Sequence, residues 1–260
     1  LRLVAAYYFL FSSKSTRSLR YYFRERLGYT GWKARKAIYT TYYKFGQTLI
    51  DKVAVMAGLN PRLSFDFDGE EWLHQMVQQG KGGLLLSAHV GNWEIAGHLL
   101  KRLKAPINVV MYDGEQEQIK AYLENVTGGR NMKLIIIRDD MSHIFAINQA
   151  LDRNELVCMH ADRFLEGNKI HSTRFLGKTA NFPVGPFLLA ASLQVPVSFV
   201  YAFKESTRHY HFFASQPVFY TNGNRAERLT NALQDFVTET EQKLRLYPTQ
   251  WFNFYDFWKV

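Results

Sequence analysis

The stretch Leu84-Leu85-Leu86-Ser87-Ala88-His89-Val90-Gly91-Asn92-Trp93-Glu94 decides the fold. A short apolar run after Gly80, Gly82 and Gly83 is the pattern of a strand buried on both faces, as in a parallel sheet. It delivers Ser87-Ala88-His89 at its carboxyl end, where open α/β sheets place their binding crevices. Gly91 permits a tight turn, and Asn92 is placed to cap a helix predicted over 92–103. His89 and Glu94 lie five residues apart across that turn, so the carboxylate can reach the imidazole and fix its tautomer. That pair is the base and orienter of a general-base site. A structural histidine also satisfies the spacing, so the motif alone leaves both readings open.

Outward from this centre the same alternation repeats. Strands are expected at 64–68, 107–111, 134–137, 156–160 and 197–203. Helices are expected at 1–27, 32–57, 70–79, 115–126, 141–152, 184–194 and 224–246. Two further strands, 171–175 and 209–214, are expected to pair antiparallel at an edge. The fold class is therefore α/β, a largely parallel mixed sheet flanked by helices with a basic helical N-terminal extension. The division is 1–62 for the basic aromatic helical region, expected to associate with membrane, and 63–260 for the α/β domain.

Charge supports that division. The net +9 of the 260 residues sits wholly in residues 1–52, which carry eleven basic side chains against Glu25 and Asp51. The apolar run Leu3–Phe11 precedes Arg and Lys mixed with Tyr21, Tyr22 and Phe23. Rings and long cationic stems together suit an anionic membrane interface better than nucleic acid. A helix packing its apolar face on the body is the plainer alternative. No apolar run reaches the roughly 18 residues of a spanning helix.

Several classes are excluded or disfavoured. With 20 Phe, 15 Tyr and 5 Trp the chain is not disordered, and its one cysteine, Cys158, rules out an internal disulfide or a Cys-based zinc cluster. There is no P-loop, no Gly-x-Gly-x-x-Gly and no Gly-x-Ser-x-Gly elbow beside Ser87. Cys158 and His160 alternate on one strand, but a buried thiol is the simpler reading. His209 and His211 have strand spacing for a metal, without a third ligand in the sequence nearby. Asp139-Asp140 reads as a helix start, and Gly128-Gly129-Arg130 as a loop.

His89-Val90-Gly91-Asn92-Trp93-Glu94 resembles the His-x4-Asp/Glu block of the bacterial lipid A biosynthesis acyltransferases, within the wider glycerolipid acyltransferase group. Met159-His160-Ala161-Asp162-Arg163 is similar to that family's acidic strand end. Phe175-Leu176-Gly177-Lys178-Thr179-Ala180 with Gly185-Pro186 resembles its Phe-Phe-Gly-x-x-Ala and Gly-Pro stretch. Tyr247-Pro248-Thr249-Gln250-Trp251-Phe252 with Trp258-Lys259 resembles its terminal signature. Arg163 stands where many members have Gln, and Asn253, Tyr255 and Asp256 replace basic and aromatic residues.

The resemblance implies transfer of a fatty acyl group from acyl carrier protein or coenzyme A to a hydroxyl or amine of a lipid acceptor. It implies His89 as base with Glu94 as its partner. Arg163 or backbone N–H groups of the 91–94 turn are then candidates for the oxyanion. Asn92, Arg138, Asp162 and Arg163 are expected to line the substrate site, with the arginines suited to phosphate. A thioester is already activated, so no metal and no other cofactor is expected. The implied partners are acyl carrier protein, an anionic membrane surface and the lipid acceptor, at the cytoplasmic face of the bacterial inner membrane. The chain begins at Leu1 rather than Met, and an upstream membrane helix, common in such enzymes, is compatible with that. A thioesterase or lipid hydrolase at the same base is the alternative within enzymes. A nucleic-acid-binding protein indifferent to His89 is the alternative outside them.

Overall fold

A computed structural model describes residues 1–57, 59, 62–96, 102–103, 105–112 and 132–259, without the side chains of Met56, Glu94 and Ala96. The strands are β1 (Ser64–Asp68), β2 (Gly83–Ser87), β3 (Ile107–Tyr112), β4 (Met132–Ile137), β5 (Leu156–His160), β6 (Ile170–Phe175), β7 (Lys178–Pro183), β8 (Val197–Lys204) and β9 (His209–Ala214). The described helices are α1 (Arg2–Phe11), α2 (Ser13–Tyr21), α3 (Gly31–Met56), α4 (Glu70–Gln78), α5 (Ser142–Asp152), α6 (Val184–Leu193) and α7 (Arg225–Leu246).

Seven strands form one sheet in the order β1-β9-β8-β2-β5-β3-β4. β8, β2, β5, β3 and β4 run parallel, while β9 is antiparallel to β8 and parallel to β1. Every residue of β2 is buried, as a strand covered on both faces requires. Its alternation divides the core. Leu84 and Leu86 pack on one face in a cluster with Phe187 of α6 and Phe236 of α7. Leu85 points the other way, into a cluster with Leu73 and Met76 of α4.

The expected edge pairing of 171–175 with 209–214 does not form. β9 sits inside the large sheet, and β6 pairs with β7, a strand absent from the sequence reading, as a separate hairpin. Leu176 and Gly177 join them with φ of 47° and 82°, the two positive values of a type I′ turn. Lys178-Thr-Ala-Asn-Phe-Pro183 hides its strand character because Lys, Ala, Asn and Pro are poor strand formers.

The single helix expected over 1–27 is broken. α1 ends at Ser12 (ψ 72°), α2 follows, and one wide π turn covers Tyr22–Arg26. These elements pack on the α/β body: Tyr22 meets the Trp251 ring edge-on at 4.9 Å and Tyr42 stacks on Phe254 at 5.5 Å. Ala5, Leu19, Tyr22, Phe23, Ile38 and Tyr42 of these elements thus share a core with the body. The 115–126 helix, residues 97–101 of the 92–103 helix and the 128–130 loop lie outside the described residues.

Candidate active site

The site follows from strand register. β2 and β5 are parallel neighbours with Ser87 opposite His160, so two residues further on, His89 and Asp162 leave the sheet side by side. Asp162 is almost wholly buried, and its carboxylate makes two bonds to one residue. Oδ1 lies 2.7 Å from Nδ1 of His89, and Oδ2 accepts the His89 backbone N–H at 2.9 Å. The two bonds fix both the ring and the chain that carries it. Burial alone pushes the Asp162 carboxyl up. The charge of His89 and its hydrogen bond outweigh that, holding the group well below the usual carboxylate range. An ionised acid on Nδ1 makes Nδ1 the donor and leaves the lone pair on Nε2.

Asp162, expected from the sequence to touch substrate, is therefore the residue that holds the imidazole. Its 73-residue separation from His89 hides that role from any short motif. Glu94, the expected orienter, lies in the 3-10 turn Trp93–Ala96, and its side chain lies outside the described residues.

The glycine turn is locked from two sides. Gly91 donates its N–H to Gln250 O at 2.7 Å, and Asn92 donates its N–H to Ala202 O at 2.8 Å. Of the four N–H groups of the 91–94 turn, those two are thereby removed as candidates for the oxyanion. Gly91 has φ 70°, and a Cβ there would fall 2.0 Å from Ala202 O, so only glycine fits. The Gln250 amide also bridges Lys204, accepting its N–H at 2.8 Å and donating to its carbonyl at 3.0 Å. The C-terminal Pro-Thr-Gln-Trp stretch thus acts as a brace for the turn.

Asn92 is buried, and Nδ2 donates to Tyr210 Oη at 3.1 Å, while Oδ1 has no hydrogen-bond partner. It holds the turn to β9 through Tyr210. Tyr210 also bonds Asp51 of α3, and Asp51 accepts from the buried ammonium of Lys204 at 2.5 Å.

Arg163 stays at the site. Nη2 donates to Phe252 O at 3.4 Å, its guanidinium lies 5.7 Å from the centre of the Tyr255 ring, and buried Nε has no partner. Burial, with the field of Asp162, pushes the Tyr255 hydroxyl up to about 12, so it stays a neutral donor. Arg138 is exposed after β4, three strands from β2 and so about 14 Å away across the sheet. No described contact brings it to His89.

One residue at the site, His160, was weighed in the sequence only as a partner for Cys158. The His160 ring lies against that of His89, tilted by 30° with centroids 4.2 Å apart, and pairs with Trp93 in a T-shaped contact at 5.0 Å. His89, His160 and Asp162 each offer one ligand atom, all within 4.8 Å of one another, and are the described donors able to surround a cation. The bonds from Asp162 to His89 account for two of them without one. His209 and His211 lie instead beside Asp66 (3.3 Å) and Asp68 (3.2 Å), contacts across β1 and β9.

The family model described as bacterial lipid A biosynthesis acyltransferase matches residues 6–260. The crystal structure of the 1-acyl-sn-glycerophosphate acyltransferase PlsC from Thermotoga maritima is similar at 12% identity and a TM-score of 0.41. The match covers 94% of this chain and 92% of that one. No curated protein sequence matches.

Proposed function

The chain belongs to the bacterial lipid A biosynthesis acyltransferase family and is an acyltransferase, and from that premise we propose the following reaction. A fatty acyl thioester, carried on acyl carrier protein or coenzyme A, gives its acyl group to a hydroxyl or amine of a lipid acceptor such as a lipid A precursor or lysolipid. The observation that carries the reading is the 2.7 Å bond from His89 Nδ1 to ionised Asp162 at the carboxyl ends of adjacent strands.

Nε2 of His89 takes the acceptor proton as the acceptor oxygen or nitrogen attacks the thioester carbonyl. Asp162 stabilises the imidazolium that forms, as the acid of a hydrolase triad does. The tetrahedral oxyanion then collapses, the C–S bond breaks, and the leaving thiolate receives the proton from Nε2. Arg163, with its unpartnered Nε, is the cation proposed for the oxyanion or for phosphate on donor or acceptor.

Membrane contact is proposed through α1. Leu3, Tyr7 and Leu10 follow one another at i, i+4 and i+7 and are exposed, Leu3 at 86%, with Phe11 beside them at 69%. Leu49, Ile50 and Val53 of α3 add exposed apolar surface. Exposed Arg17, Arg20 and Arg24 follow in the chain and supply charge for anionic headgroups or for an acidic carrier protein. No described helix is long and apolar enough to cross a membrane. The proposed location is the cytoplasmic face of the bacterial inner membrane, where carrier-bound donor and lipid acceptor meet.

Mixing the protein with acyl-acyl carrier protein and anionic vesicles containing bacterial lipids tests the reading. A lipid heavier by one acyl group, absent with His89→Ala, supports it. Free fatty acid as the sole product replaces transfer with hydrolysis.

A further inference from the structure

The transfer scheme leaves His160 without a task, although it touches the base. Ser87 opposes it in the β2–β5 register, so its ring comes up beside the end of the strand that leads to His89. Its ring lies 4.2 Å from that of His89 at 30° and 5.0 Å from that of Trp93 at 80°, and its Nδ1 is shielded from solvent with no hydrogen-bond partner. Burial first, and the field of His89 second, hold this imidazole down to about 3. It stays uncharged at any pH near neutrality. The thiol of Cys158, two residues earlier on the same strand, is pushed up to about 12 by burial and is uncharged too.

A ring that cannot gain charge has one use beside a base that must. When His89 takes the acceptor proton, Asp162 meets the new charge at the ring edge, and the π face of a neutral neighbour meets it from below. A cation over a desolvated aromatic face is attracted, whereas a protonated neighbour would repel it. We propose that His160 is a positioning residue for the base: lying against the His89 ring at 4.2 Å, it fixes the imidazole plane and stabilises the imidazolium formed during transfer. This rests on the reading of His89 as general base. Among the described residues, Asp162 and His160 face the His89 ring directly. Arg163 acts on both, and Tyr201 and Tyr255 act on Asp162.

The test is the pH dependence of kcat/KM for wild type, His160→Gln and His160→Phe. Gln removes the ring and Phe restores a neutral aromatic face. His160→Gln is expected to lose about 3- to 10-fold on the plateau and to move the acidic limb down by roughly half to one pH unit. His160→Phe is expected to recover most of both. An unmoved limb in an active, folded Gln variant overturns the proposal, and so does a Phe variant no better than Gln. NMR titration of labelled histidine in wild type gives a second reading that needs no variant. His160 should not titrate between pH 5 and 9, and titration there overturns the proposal. A wild-type protein that transfers no acyl group strikes instead at the base itself, so the two failures are distinct.

Discussion

Replacing Asp162 by Asn isolates what the buried carboxylate does. Asn has almost the same shape and keeps one acceptor oxygen, so the backbone bond from His89, 2.9 Å in the wild type, can survive. The bond to Nδ1 loses its charge, and an amide NH2 turned toward Nδ1 selects the wrong tautomer. Imidazolium and carboxylate charge centres about 4 Å apart attract by about 4 kcal/mol at an effective dielectric near 20. With half or more of the charge developed in the transition state, about 2–4 kcal/mol is lost, or roughly 30- to 1000-fold in kcat. The assay is release of the free thiol from an acyl thioester in the presence of acceptor lipid, with Glu94→Gln alongside. Asp162→Asn should exceed Glu94→Gln in its effect. Stability gives an independent reading. The folded carboxyl lies below its unfolded value near 4, so its contribution is present above that pH and is lost as pH falls through the folded value. The variant should therefore melt lower than wild type at pH 7, with the gap narrowing toward pH 3. A folded Asp162→Asn with less than threefold loss of rate refutes the role given to Asp162.

Gly91→Ala should fold poorly or lose about 2–4 kcal/mol, because Ala202 O occupies the space and φ is positive; urea denaturation reads this directly. His160 is held down to about 3 against an unfolded value near 6.5, so its stabilisation is complete above pH 6.5 and declines as pH falls toward 3. Wild-type Tm should accordingly fall between pH 7 and 5 more steeply than that of His160→Phe, by scanning calorimetry. Asp51→Ala leaves the buried Lys204 ammonium without its carboxylate, with Thr207 O still accepting from it, and should cost about 3–5 kcal/mol, whereas exposed Arg35→Ala should change Tm little. Leu3→Ser combined with Phe11→Ser should weaken sedimentation with anionic vesicles while leaving transfer to detergent-dispersed acceptor unchanged.

The sheet was legible because buried parallel strands such as Leu84–Leu86 are continuous apolar runs between glycines, and every strand of this kind is found. The hairpin was half legible: Ile170–Phe175 has strand composition, but Lys178–Pro183 becomes a strand only because the turn at Leu176-Gly177 places it there. The N-terminal helix was read as continuous because no Gly or Pro interrupts 1–27; beyond the break at Ser12 the chain buries Leu19, Tyr22 and Phe23 in the main core, with Tyr22 against Trp251. His89 was legible from its position after a buried strand. The acid that bonds its Nδ1 was not, because Asp162 reaches it through pairing of β2 with β5, a contact that local spacing does not encode. Asp162 was picked out for its place at a strand end, and His160 was weighed only as a partner for Cys158. The register that puts Ser87 opposite His160 gives both residues their place.

The most direct test of the central claim is product analysis by mass spectrometry with acyl-acyl carrier protein, bacterial lipid extract and the protein, beside His89→Ala. The account predicts a lipid heavier by one acyl group, formed by wild type and nearly absent with the variant. The same acylated lipid formed at equal rate by a folded His89→Ala protein would contradict it.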